Sequence, residues 1–290
     1  MSPAPRFTYA RAKTLTQALE LLAEPGRKSR LLAGGTDLLI RLRQHEPDFD
    51  RVIDISRLPE LKTIERAGDV VRLGSGVTYA EIIKSELLQE LTPFLVTAAR
   101  WVGGPQIRNQ GTIGGNIVNA AGGADMLAPL VCLDATLHLA SLRGQRTLAL
   151  TEFILHPNQT RIQPDEALTE LTFPAPPAGV RTTFTKLGRR KASYISRISL
   201  AVMGRADAAG RIDFIRFAPS AVAPRVQRYA SVEAMLLGQP PSPELFARAG
   251  EEAARVMLTL AGKRWSSDYK IPALQTITRR ALSSLFETRE

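Results

Sequence analysis

The sequence of 290 residues holds one cysteine and three histidines. A single thiol cannot close an intrachain disulfide, and this chain alone cannot hold an iron-sulfur cluster or a cysteine-based zinc site. Cys132 sits in LAPLVCLDA, apolar surroundings that suit an inert core thiol. His45, His138 and His156 are scattered without metal-ligand spacing, so each reads as a packing or surface residue. No nucleophile stands with a histidine-based acid-base pair, which argues against a self-contained hydrolase or transferase. No segment approaches the roughly 18 uninterrupted apolar residues of a membrane helix, and MSPAPRFTYARAKTL has no signal-peptide core. The expectation is a soluble, cytoplasmic protein with no membrane partner. Aromatics make up only 6% of the chain, and the net charge of +10 is dispersed rather than interleaved with them. Residues 1–178 hold 19 basic and 19 acidic side chains, whereas residues 179–290 hold 19 and 9. That excess fits a solvated surface or a subunit contact better than nucleic acid, although KLGRRK, from Lys186 to Lys191, is a dense basic run.

Glycine, by contrast, is concentrated where it can matter. Residues 106–125, QIRNQGTIGGNIVNAAGGAD, hold five glycines among amide side chains, and Gly34-Gly35 stands earlier in LLAGGTDLL. Glycine permits positive φ and leaves main-chain N–H groups open to a ligand. Either run alone is an ordinary glycine turn. Together they suggest two loops facing each other across an anionic cofactor. Gly34-Gly35 falls between a strand end and a helix start, where free N–H groups and the helix dipole favour phosphate. The spacing matches neither GxGxxG nor GxxxxGK[ST]. Asp37 is awkward beside a phosphate and is expected to cap the helix or face a hydroxyl.

Along the chain, residues 7–10, 30–33 and 52–55 predict strands, alternating with helices over 15–24 and 38–44. This β-α-β-α-β order implies a small parallel sheet. Capping boxes open helices at Thr14-Gln17 and Thr78-Glu81, the second running to about residue 91. Thr92-Pro93 starts another helix, and residues 126–133 a short one. Strands over 70–76, 136–140, 146–150 and 168–173 suggest a mixed sheet. PAPPAG, with Pro174, Pro176, Pro177 and Gly179, is the best domain boundary. Beyond it come three strands, near 182–187, 199–205 and 211–217, and then helices. Ser242-Pro243 caps a long helix, and Pro272 is expected to open the last one.

These motifs resemble the FAD-binding subunit of the molybdenum hydroxylases, a family that includes xanthine dehydrogenase and carbon monoxide dehydrogenase. The resemblance rests on LLAGGTDLL, RNQGTIGGNIVNAAGGAD, KLGRRKASYISRISLAV, IRFAPSAVAPRVQRYASVEAMLLG and SSDYKIPALQTITRRAL, and so covers nearly the whole chain. It implies an α+β protein. A two-part FAD-binding domain of the vanillyl-alcohol oxidase or PCMH type would span 1–177, with a small parallel part over 1–56 and a mixed-sheet part over 57–177. A C-terminal domain over 178–290 would combine a three-stranded antiparallel sheet with a helical bundle and serve subunit docking.

Carried over to this chain, Leu31, Leu32, Ala33, Gly34, Gly35, Thr36, Asp37 and Leu38 would form the first FAD loop, wrapping the pyrophosphate with main-chain N–H groups. Thr112, Ile113, Gly114, Gly115 and Asn116 would form the second, with Asp125 holding the adenosine end. Val102 would lie beside the isoalloxazine ring, and Leu168 and Lys186 would contact the flavin. The bland reading of Lys186 is an ordinary member of its basic run. Where relatives often carry Ser-Pro before the acidic residue, this chain has Ala121, Gly122 and Gly123, and it lacks the cysteine-bearing insertion of some relatives.

No catalytic or metal-binding residue is implied on this chain. The family resemblance places the molybdenum cofactor on a large partner subunit and 2Fe-2S clusters on a small one, in a dimer of heterotrimers. FAD would collect electrons from the clusters and pass them to NAD, oxygen or another acceptor. The alternatives are a stand-alone flavin oxidase and a basic nucleic-acid-binding protein.

Overall fold

The computed structural model describes residues 7–190 and 194–286. Residues 1–6 of the N-terminal reading, Lys191 of the basic run and the last four residues lie outside the described residues. The chain opens with β1 (Thr8–Arg11), α1 (Leu15–Leu22), β2 (Ser29–Leu32), α2 (Leu38–Gln44) and β3 (Arg51–Asp54). The three strands pair in parallel in the order β1-β3-β2. Strand β3 is buried along its whole length because it is central, and α1 lays Ala18, Leu19 and Leu22 against Ile53, Leu58 and Leu61. Thr14 Oγ1 accepts from Gln17 N at 3.1 Å, but the Gln17 amide accepts from Lys13 N, one residue before the cap, so the expected box closes differently.

The next unit runs β4 (Ile64–Ala67), β5 (Val70–Gly74), α3 (Tyr79–Lys84), α4 (Glu86–Leu91), α5 (Pro93–Arg100), α6 (Pro105–Gln110), α7 (Ile113–Asn119) and α8 (Leu127–Cys132). It continues through β6 (Thr136–Ser141), β7 (Gly144–Ala149), α9 (Leu150–Phe153), β8 (Ile154–His156), β9 (Gln159–Thr160) and β10 (Ala167–Pro174). The sheet β4-β5-β10-β6-β7 is antiparallel in every pairing rather than mixed. Two tight hairpins, β4-β5 and β6-β7, supply its edges, and β10 enters between them. The helix expected over 79–91 breaks at Ser85, whose hydroxyl accepts from Leu88 N and starts α4. The glycine-rich stretch is largely helical, as α6 and α7, and not an open loop.

The last unit is β11 (Arg181–Leu187), β12 (Ile198–Ala206), β13 (Ile212–Ser220), α10 (Ala230–Leu236), α11 (Pro243–Ala261) and α12 (Ser267–Phe286). Its strands form an antiparallel sheet in the order β11-β12-β13. Pro272 lies inside α12 and does not open it, so the Asp268 carbonyl lacks its usual N–H partner there. Strand β12 is buried on both sides. Ala201 and Met203 face the large core shared with α5 and α8, while Leu200 and Val202 face Leu274, Ala281 and Leu282 of α12. Cys132 is fully buried in the large core, where burial pushes its thiol up, and its sulfur donates to the Ala201 carbonyl. No helix of the described residues is long and apolar enough to cross a membrane.

Candidate cofactor-binding site

Strand β2 ends at the sheet edge, and the segment after it turns sharply through Gly35, with φ of +69°. That left-handed backbone suits glycine and strains any residue with a Cβ. Among the described residues, the main-chain N–H groups of residues 33–38 find no hydrogen-bond acceptor. Successive unpaired donors at a strand-to-helix turn form an anion-binding concavity. Asp37 is the N-cap of α2 but its carboxylate makes no capping hydrogen bond, so of the two expected roles the cap is excluded, and the side chain is exposed. Backbone in the αR region at Asp37 explains this, because capping geometry needs an extended residue.

The second glycine pair is held differently. Thr112 caps α7 by accepting from Gly115 N at 3.0 Å. Ile113 N donates to Val77 O and Gly114 N to Ser75 O, both at 2.9 Å. These donors are spent inside the protein, so this element shapes the cradle where the first loop supplies free N–H groups. A Cβ on Gly114 would meet Ser75 at 2.6 Å, which explains that glycine by packing. A Cβ on Gly115 would meet only Thr112 Oγ1, at 3.0 Å. The two glycine elements touch: a Cβ on Gly34 would reach the Gln110 carbonyl oxygen at 1.9 Å. Asn116 Oδ1 is buried with no partner, an acceptor in want of a donor.

Asp125 and Lys186, distant in sequence, form a buried ion pair. Lys186 Nζ lies 2.6 Å from Asp125 Oδ2 and donates to the Trp101 carbonyl at 3.0 Å. Ser196 Oγ donates to Asp125 Oδ1 at 2.5 Å. Burial pushes the Asp125 carboxyl up, against the pull of Lys186 and Ser196. Tyr194 covers the pair: its ring centroid is 4.8 Å from Lys186 Nζ, and it meets Trp101 edge-on at 6.0 Å. Both Asp125 oxygens and the Lys186 ammonium are therefore already engaged. Tyr79 packs against Gly111 of the second glycine stretch. Burial raises its hydroxyl pKa, Asn116 opposes that, and the charges of Asp37 and Asp125 both reach it.

Of the other expected residues, Val102 is half-buried, and its carbonyl accepts from Arg108 at 3.2 Å. Leu168 is buried in the large core, so its side chain is not at a surface. Its neighbour Thr169 accepts from Ser75 N at 2.9 Å, which ties β10 to α7 through Ser75. Sequence reasoning missed Ser75, Tyr79, Trp101, Tyr194, Ser196 and Arg41. Arg41 of α2 donates to Asn119 Oδ1 at 2.7 Å and to Asn158 Oδ1 at 3.0 Å, linking the first loop's helix to the end of α7. Tyr194 and Ser196 lie within the stretch after KLGRRK, but nothing in their spacing announces a buried acid from another element.

Residues 5–176 match the family described as the FAD binding domain in molybdopterin dehydrogenase, and residues 183–285 the CO dehydrogenase flavoprotein C-terminal domain. The xanthine dehydrogenase FAD-binding subunit of Escherichia coli O157:H7 is 34% identical, over 95% of this chain and 94% of that protein. The carbon monoxide dehydrogenase medium chain of Hydrogenophaga pseudoflava is 31% identical, over 97% of both chains. A solved structure of carbon monoxide dehydrogenase from Hydrogenophaga pseudoflava, lacking the Mo-pyranopterin moiety, contains a chain that superposes with a TM-score of 0.89, covering 97% of each at 31% identity.

Proposed function

The chain belongs to the FAD-binding family of the molybdopterin dehydrogenases, oxidoreductases whose relatives include medium subunits of xanthine and carbon monoxide dehydrogenases, and from this premise we propose a role for it. It carries electrons within a complex. A large subunit with the molybdenum cofactor and a small subunit with 2Fe-2S clusters complete that complex as a dimer of heterotrimers, and NAD, oxygen or another acceptor drains it. Bound FAD supplies two-electron storage and one-electron uptake.

The observation that carries this reading is the run of unpartnered N–H groups over residues 33–38, set against the second glycine element by the Gly34 contact. Those N–H groups would hold the pyrophosphate. Asn116 Oδ1 would accept from a hydroxyl of the cofactor, since burial without a donor is otherwise costly. A side chain at Gly115, whose Cβ would meet Thr112 Oγ1 and no other atom within 4 Å, would take up room that the cofactor would use. Asp125 and Lys186 would act chiefly by fixing the wall that carries Trp101 and Tyr194, because both are internally paired. Leu168 would contribute through β10's backbone. The division into 1–177 and 178–290, with the C-terminal part docking partners, belongs to the same proposal.

Replacing Gly115 by Val tests it. The expected outcome is a chain with unchanged circular dichroism and no acid-released FAD. Full FAD content in that variant would show the glycine to be a packing residue only.

A further inference from the structure

Three basic side chains of the C-terminal half, Arg197, Arg264 and Lys270, lie at a second concavity. A pocket of about 220 Å3 opens between the end of β13 and the α11-α12 turn. Its floor is apolar, from Pro157, Val222, Pro224 and Met257. Its rim carries Arg264, Trp265 and Lys270. Trp265 is 84% exposed, and the Arg197 guanidinium lies 5.9 Å from its ring centroid.

Three cations converge here without an acid. Arg264 donates to the Ala261 carbonyl at 3.0 Å and Lys270 to the Ala221 carbonyl at 2.5 Å. Among the described residues, none of Arg197, Arg264 and Lys270 pairs with a carboxylate. Burial, followed by the charges of Arg197 and Arg264, pushes the Lys270 ammonium down from its ordinary value. An arriving anion would relieve that repulsion. Some other arginines do meet acids, as Arg228 meets Glu233 and Arg205 meets Asp213. What this pocket adds is the convergence of unpaired cations beside an apolar floor and an exposed tryptophan.

Size narrows the ligand. A cavity of about 150 Å3 is known to hold benzene, so this one has room for a single ring with one substituent and none for a dinucleotide. We propose that the pocket binds a one-ring organic anion, its ring on the apolar floor beside Trp265 and its negative group between Arg264 and Lys270. Gly122, from the stretch between α7 and Asp125, also lines this pocket, while the ring and anion contacts come from other residues.

The test uses the full chain, saturated with FAD and in whatever assembly it purifies. Benzoate, phenyl phosphate, benzyl alcohol and inorganic phosphate are titrated by calorimetry and by tryptophan fluorescence. Benzoate or phenyl phosphate should bind saturably and perturb Trp265 emission, and the preferred one of the two distinguishes a carboxylate from a phosphate ligand. The neutral alcohol and the ringless phosphate should bind at least about tenfold more weakly, since each loses one of the two recognition elements. Arg264→Gln should weaken the ring-bearing anion by about tenfold with the flavin spectrum unchanged, and Trp265→Phe should abolish the fluorescence change while calorimetric binding persists in weakened form. The proposal is overturned if neither ring-bearing anion binds, if benzyl alcohol binds as tightly as benzoate, or if Arg264→Gln binds like the parent. It is equally overturned if assembly with partner subunits shields Trp265 from acrylamide, because a protein surface then covers the pocket.

Discussion

A methyl group placed on Gly34 would strike the Gln110 backbone at 1.9 Å, whereas one on Gly115 would meet only a hydroxyl at 3.0 Å. Gly34→Ala is therefore expected to lower stability by about 3 kcal/mol, because backbone cannot yield as a side chain does, and thermal unfolding will read it. Gly115 variants should instead lose cofactor at constant melting temperature. Lys186→Met leaves Asp125 buried without its charge partner, which costs about 3–5 kcal/mol. Combining it with Asp125→Leu should restore much of that loss, and a double-mutant cycle that shows simple additivity would argue against the pairing. Asp54 offers a pH-dependent case. Burial opposes its ionisation, yet hydrogen bonds from Tyr9, Ser56 and Arg11 prevail and hold its carboxyl at about 2. A depressed carboxylate stabilises the fold fully above its unfolded value of about 3.9 and loses that contribution as pH falls toward 2. Tyr9→Phe removes a 2.5 Å hydrogen bond to Asp54, so its deficit in melting temperature should be largest at neutral pH and shrink as the pH approaches 2. A deficit independent of pH would contradict this.

At the scale of elements, α2 is the thinly packed partner of the first loop and Arg41 is its tether. The helix has no buried residue of its own, so the hydrogen bonds to Asn119 and Asn158 hold it more than packing does. Arg41→Ala should weaken FAD binding by roughly tenfold, about 1.4 kcal/mol, with little change in global stability, as flavin fluorescence titration would show. The tether was illegible beforehand because arginine on a short exposed helix has no periodic signature. Elements with a local chemical signal were legible: Thr78 and Glu81 form the expected capping box, and Ser242 caps α11. Helix α7 was not, since glycines in its first turn lower helix propensity, and its formation depends on Thr112 and on contacts to Ser75 and Val77. Strand β4, IERA, is mostly exposed and lacks alternation. Pro272 misled because proline favours a first turn, while here the preceding turn is secured by Ser267, which is buried and accepts from Arg264 N through its hydroxyl.

At the scale of the whole molecule, PAPPAG marks where the chain changes character but not where the core divides. Phe184, Ala201, Met203 and Ala218 pack in the same cluster as Leu95, Ala98 and Leu130. Arg228 and Arg216 add ion pairs to Asp134 across the same seam. A shared core predicts one cooperative calorimetric transition for the intact chain. Two resolved transitions would mean that each half folds alone. The glycine pairs and their order revealed the family, while the seam was hidden because its contacts join residues on separate elements. The Asp125 pair adds a consequence in time. Its acid belongs to the first half, whereas Lys186 and Ser196 belong to the second. A ribosome that has released Asp125 has not yet supplied the residues that let it be buried. On the proposed reading the wall of the cradle is completed only late in synthesis, and cofactor loading would be a checkpoint on a finished chain.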